Sequence, residues 1–228
     1  MAVLLSCMAA GLTLAVGRFA WIRCFPRPCP WWLRYLLENP YMEKWTGASA
    51  LIERIGLGPG MKVLDVGCGP GRLAIPFAKH VGPEGQVVAF DLQERMLDIV
   101  RQRVVEHRLA NVHLIHGTAG QGSMPWKEFF DRVVLVTVFG EIRNKRQALQ
   151  AIFGALKSGG ILSVTEVLPD PDYQTVGTVL RLCRQAGFHP GSRYGHLIAY
   201  TFNFEKPGES GEGDPAAQTG TAAHQAAS

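Results

Sequence analysis

Asp65, Gly67, Gly69, Gly71 and Asp91 are the residues whose types and spacing suit chemistry. The stretch VLDVGCGPG, residues 63–71, starts as an apolar strand run, breaks into three glycines and leads into an apolar helix pattern. Glycines at a strand-to-helix turn let backbone approach a ligand closely, and the helix start offers free N–H groups. A dinucleotide-binding turn needs a small residue three places after the second glycine. Arg72 stands there, and the third glycine, Gly71, comes one place early. The nicotinamide reading drops accordingly.

Asp65 lies two residues ahead of Gly67. An anion there opposes a phosphate but favours an α-amino group. Asp91 ends the next apolar run, 24 residues past Gly67. An acid at that point accepts hydrogen bonds from both ribose hydroxyls, with Leu92 and Met96 following it to pack an adenine face. Capping the next helix is the alternative role for Asp91. A ligand with an amino group at one end, a nucleoside at the other and no phosphate fits S-adenosylmethionine. Gly67, Cys68, Gly69 and Gly71 form the turn that would contact it.

These residues need an alternating strand and helix framework. Strands are predicted over 62–66, 86–91, 112–116, 132–138 and 161–167, with a terminal pair at 193–194 and 197–204. Helices are predicted over 31–37, 41–55, 71–80, 94–107, 145–156 and 175–186, and 157–160 reads as a helix stop and turn. Runs such as RVVLVTV are apolar at nearly every position, the mark of strands buried on both faces of a parallel sheet. The class is therefore α/β, Rossmann-like and doubly wound, with ligands at the carboxyl ends of the strands.

Composition limits the partners. Hydrophobic residues make up 47% and charged residues 18% of the 228, which excludes a wholly disordered chain. The net charge of +4 forms no basic stripe interleaved with aromatics, which disfavours nucleic acid. Cys7, Cys24, Cys29, Cys68 and Cys183 include no CxxC pair, so they read as reduced thiols without a metal site.

Residues 1–28 form an apolar segment and linker. The run over 2–22 is 21 residues long and carries Arg18 as its one charge, enough to span a bilayer core of roughly 30 Å. Arg18, Arg23, Arg27 and Arg34 follow or end it, so a single anchor would leave the rest of the chain in the cytoplasm. A soluble or buried helix in a cytoplasmic protein, or a misassigned start, is the alternative. Residues 29–58 read as a helical cap rich in Trp and Tyr, 59–206 as the ligand-binding domain, and 207–228 as a disordered tail.

VLDVGCGPG, VVAFDLQERML and ALKSGGILSVTEV, in that order, make residues 59–206 resemble the class I S-adenosylmethionine-dependent methyltransferases. Within that family VTVFGEIRNKRQALQAIFGALKSGG is loosely similar to the quinone-biosynthesis C-methyltransferases. The resemblance implies a mostly parallel seven-stranded sheet with a reversed last strand. It implies that Asp65, Gly67 and Gly69 contact the methionine part, Asp91 the ribose, and Gly117, Thr118 and Ala119 the adenine. The family often has Asp where Thr118 stands.

Methyl transfer displaces a sulfonium leaving group, so the protein mainly orients the acceptor and excludes water. Glu141 and Glu166, near the ends of the fourth and fifth strands, are the catalytic candidates for orienting or deprotonating an acceptor. Capping a helix or pairing with Arg143 or Lys145 are their structural alternatives. The acceptor is expected to be a small or lipophilic molecule. A polar metabolite, or a non-catalytic module that binds cofactor or partner, are the rival readings.

Overall fold

The computed structural model describes residues 43, 46–121, 124–168 and 170–208. The expected apolar segment, the aromatic cluster between Trp31 and Trp45, and nearly all of the tail lie outside them. Seven strands form one sheet: β1 (Lys62–Val66), β2 (Gln86–Asp91), β3 (Val112–His116), β4 (Phe130–Val136), β5 (Leu156–Val167), β6 (His189–His196) and β7 (Ala199–Glu205). Their order is β3-β2-β1-β4-β5-β7-β6. Strands β1 to β5 pair in parallel, and β7 runs antiparallel to both β5 and β6. The order reverses between β1 and β4, the switch point beside whose carboxyl ends such sheets bind ligands.

Helices α1 (Ala48–Arg54), α2 (Ala74–Val81), α3 (Glu94–Glu106), α4 (Lys145–Ala155) and α5 (Val176–Gln185) cover the two faces. The strand period of two sorts the core. Leu64, Val66, Val133 and Leu135 face Leu149, Ile152 and Val179 of α4 and α5. Val63, Val87, Ala89, Val134 and Val136 face Leu51, Phe77, Leu97 and Val100 of α1 to α3. Each such buried Val, Leu, Ile or Phe side chain stabilises the fold by about 1.5–3 kcal/mol. Leu51 and Ile55 belong to this core, so α1 packs as part of the sheet domain. Asn144 starts α4 by accepting from the Gln147 N–H at 3.1 Å, and Thr175 caps α5 through the Thr178 N–H at 3.3 Å.

Several boundaries differ from expectation. Strand β4 ends at Val136, two residues early, because Thr137 adopts φ 53°. The 157–160 stretch is strand: Gly159 N–H donates to Lys206 O and Lys206 N–H to Gly160 O, which extends the pairing with the end of β7. Leu197 and Ile198, expected in a strand, form the turn between β6 and β7. Helix α2 starts at Ala74, since the residues between Gly71 and Leu73 remain in the turn.

Candidate active site

The glycine turn sits at the carboxyl end of β1. Gly67, Gly69 and Gly71 have φ of 70°, 52° and 83°, a region that side-chain-bearing residues rarely adopt. Their N–H and Cβ environments assign them different tasks. Gly67 and Cys68 N–H groups donate to Phe90 O at 2.7 and 3.1 Å, joining the turn to β2. A Cβ on Gly67 would lie 2.3 Å from Val138 Cγ2, and one on Gly71 3.1 Å from Val100 Cγ2. A Cβ on Gly69 would meet nothing within 4 Å. Packing therefore explains Gly67 and Gly71, whereas Gly69 fronts open space.

Asp91, buried at the end of β2, faces that turn. Its Oδ2 accepts from Gly69 N–H at 2.9 Å and its Oδ1 from Gln93 N–H at 2.8 Å. Burial pushes its carboxyl above the usual range, and the N–H groups of Gln93 and Gly69 pull it back. The cap of α3 falls to Gln93, so Asp91 does not cap the helix. A carboxylate has about four lone-pair sites, so both oxygens retain capacity for hydroxyl donors.

Asp65 shares the α2 face of β1 and is 2% exposed. Its Oδ2 has no protein partner. Burial pushes its pKa up to about 7, against the opposing effect of the Arg72 guanidinium and with a further push from Asp91. An orphaned carboxylate oxygen at the mouth of a glycine turn suits an ammonium group, whose binding supplies the missing donor.

Around them, the structure sorts the remaining candidates. Cys68 is buried, its thiol is driven well above its ordinary pKa by burial first, and its Sγ lies 3.6 Å from Gly69 O. It lines the turn as an inert, protonated side chain. Leu92 is 44% exposed and open to a ligand, whereas Met96 is buried at 2% and offers no open face. His116 Nε2 lies 2.9 Å from Leu92 O, and Gly117 N–H donates to Asp91 O at 3.0 Å. Gly117 packs against the Phe90 ring, Thr118 is exposed and Ala119 is half-buried, so this loop borders the same end of β2.

The two acidic candidates separate clearly. Glu141 is half-buried in the turn after β4, where its N–H donates to Val138 O. Lys145 Nζ donates to Gly140 O and Ile142 O at 2.9 and 2.8 Å and braces that turn. Glu166 is 1% exposed, with Oε2 accepting from Gln174 N–H at 2.9 Å and Oε1 lacking a protein partner. Burial is the main cause of its rise to about 8, and Asp170 and Asp172 push it the same way. Tyr200 O–H donates to Gln174 O at 2.7 Å, so Glu166 and Tyr200 hold the same loop residue. A Cβ on Gly140 would lie 1.8 Å from Asp172 O, so the loops after β4 and β5 pack directly on each other.

Sequence reasoning missed Gln174, Asp170 and Thr137. A β-branched residue in the left-handed region is a strained outlier. Thr137 is held there by its N–H to Thr165 O at 2.8 Å, and it leads into the Val138 side chain that abuts Gly67. The PDPDY run after the fifth strand was the available signal for the loop acids.

A family model described as a methyltransferase domain matches residues 57–184. Demethylmenaquinone methyltransferase of Listeria monocytogenes is 36% identical over 120 residues, covering 53% of this chain and 49% of that protein. The ubiquinone/menaquinone biosynthesis C-methyltransferase UbiE of Vibrio campbellii is 33% identical over 116 residues, covering 50% and 44%. The chain spans about half the length of the curated relatives it matches. Among solved structures, an S-adenosylmethionine-dependent methyltransferase from Aquifex aeolicus matches with a TM-score of 0.71 at 21% identity, over 78% of this chain and 99% of that one. The cyclase SpnF matches at 0.62 and 21%, over 71% and 80%. These structures share the fold, and a cyclase among them shows that the fold does not set the reaction.

Proposed function

This chain belongs to the methyltransferase-domain family of class I S-adenosylmethionine-dependent enzymes, and we propose that it moves the methyl group of S-adenosylmethionine onto a lipophilic, quinone-like acceptor. The observation that carries the cofactor half is the buried, orphaned Oδ2 of Asp65 beside the open space at Gly69. The names of the quinone-directed relatives support the acceptor half.

When bound, the cofactor supplies a methyl group on a sulfonium that is already a good leaving group. The chain's own work is then orientation and exclusion of water. Asp65 holds the ammonium end. Asp91, kept rigid by Gly69 and Gln93, receives the ribose hydroxyls, and Leu92 with Gly117, Thr118 and Ala119 borders the adenine. Gly67, Cys68 and Gly71 shape the turn.

On the acceptor side, burial raises the Glu166 carboxyl to about 8, and its bond to the Gln174 N–H gives it the role of holding the loop after β5. Glu141, half-buried in the turn after β4, is the candidate that orients or deprotonates an acceptor. Residues 59–206 together with α1, which packs into the same core, form the catalytic unit in this reading. The 1–28 segment lies outside the described residues, and its apolar run supports a membrane anchor with the catalytic unit in the cytoplasm. Among the described residues no helix is long and apolar enough to cross a membrane.

Calorimetry with S-adenosylmethionine, followed by transfer of a labelled methyl group to a quinol lacking a ring methyl, tests both halves. Binding and transfer together support the enzyme. Binding without transfer to quinols or to small polar metabolites favours the non-catalytic module, and absence of binding rejects the cofactor assignment.

A further inference from the structure

The turn between β6 and β7 consists of Leu197 and Ile198, which are 76% and 49% exposed. Hairpin turns favour Gly, Asn, Asp and Pro, so two large aliphatics, one β-branched, suit neither turn geometry nor water. Gly195 at φ 84° provides the left-handed residue of this hairpin. Turn geometry thus gives no reason for the aliphatic tip. Leu168 and Tyr194, at 36% and 39% exposure, extend the patch.

The tip is also fixed. Leu168 N–H donates to Ile198 O at 2.8 Å, and Tyr173 O–H donates to Leu197 O. Both bonds tie it to the segment that follows β5 and contains Gln174, the partner of Glu166. Strand β7 is antiparallel to β5 with Ala199 opposite Val167, so the tip projects from the carboxyl end of the sheet. That end also holds the glycine turn and Asp91.

Strand β6, HPGSRYGH, is exposed along its whole length, and Arg193 is its one formally charged residue. The Arg54 guanidinium lies 5.8 Å from the Tyr194 ring centre. The neighbouring acids Asp170 and Asp172 are half-buried, and Asp170 Oδ1 accepts from the Asp172 N–H at 2.8 Å. A projecting aliphatic tip with Tyr194 and the guanidinium groups of Arg54 and Arg193 behind it matches the chemistry of an anionic bilayer surface.

We propose that Leu197 and Ile198 dip into the headgroup boundary of an anionic bilayer and turn the carboxyl end of the sheet toward the membrane, so that a lipophilic acceptor enters without crossing water. This rests on the lipophilic-acceptor reading above.

The test is hydrogen exchange of the full chain with and without vesicles of phosphatidylcholine and phosphatidylglycerol. Residues 194–199 gain protection on the mixed vesicles. The double variant Leu197→Ser, Ile198→Ser loses that protection and partitions about tenfold more weakly, while its S-adenosylmethionine affinity and Tm match the wild type. An unprotected hairpin in vesicle-bound chain, or no vesicle binding at all, overturns the proposal. Protection that rises with protein concentration without vesicles assigns the tip to a second copy and also overturns it. A water-soluble short-chain quinol separates the two ideas: no transfer to it or to a vesicle-embedded long-chain quinol rejects the acceptor reading. Transfer to both by the double variant at wild-type rates rejects the docking role alone.

Discussion

Asp91 Oδ2 accepts the backbone N–H of Gly69 at 2.9 Å, so the acid that ends one strand fixes the glycine turn of its neighbour before any ligand arrives. Asp91→Asn keeps the volume but removes the charge and one acceptor oxygen. Charge-assisted hydrogen bonds contribute about 1.5–3 kcal/mol each, so S-adenosylmethionine affinity should fall by roughly 10- to 100-fold. Calorimetry reads this directly, and wild-type affinity in the variant would remove Asp91 from the cofactor site.

Gly67→Ala and Gly69→Ala should fail in different ways. Both place a side chain in left-handed backbone at a cost of about 1–2 kcal/mol. Gly67→Ala also drives its Cβ to within 2.3 Å of Val138 Cγ2, which adds about 1–3 kcal/mol of overpacking. Gly69→Ala meets no atom within 4 Å, so its stability loss stays small while its methyl group invades the ligand space. Urea unfolding paired with cofactor titration separates them: Gly67→Ala loses more stability, and Gly69→Ala loses affinity out of proportion to its stability.

The proposed pairing of Asp65 with the ammonium end should make cofactor binding pH-dependent. The Asp65 carboxyl titrates at about 7 in the ligand-free fold, and an ammonium ligand needs it ionised. Affinity should therefore fall about tenfold per pH unit below that value and level off above it. Asp65→Asn should bind weakly at all pH values, with this dependence gone. The same shift acts on stability with the opposite preference. A carboxyl that binds its proton more tightly when folded destabilises the fold as pH rises from about 4 to about 7. Asp65→Asn should accordingly flatten that decline in thermal melts of the ligand-free protein.

The glycine turn was legible because its signals are local. Gly67, Asp65 and Asp91 sit at strand ends that apolar runs mark well, and β1, β2 and β3 fall where periodicity predicts them. Thr137 was not legible: RVVLVTV continues as an apolar run, but a bond to Thr165 O turns the backbone left-handed at residue 137. The setting of Glu166 was hidden for another reason. Tyr200 reaches Gln174 only through the long-range pairing of β5 with β7, which no short window contains. Leu197 and Ile198 misled in the other direction, since aliphatic residues predict strand and here form a turn. Met96 fits the helical apolar face and is buried there, so its apolar character marked core packing.

Glu166 provides the sharpest test of loop holding against base catalysis. Its carboxyl is raised to about 8, chiefly by burial. Between the ordinary carboxylate value and about 8 the folded chain binds more protons than the unfolded chain, so stability declines across that window and levels off above it. Glu166→Gln retains an oxygen for the Gln174 N–H and has no charge to bury, so its Tm should fall less from pH about 5 to about 8, with kcat close to wild type. Glu166→Ala leaves that N–H and a cavity unsatisfied, and should lose about 2–4 kcal/mol of stability. If Glu166 instead abstracts the acceptor's proton, Glu166→Gln loses kcat by about 100-fold or more while melting like the wild type at low pH. Melting curves and kcat measured on the same two variants decide between these roles.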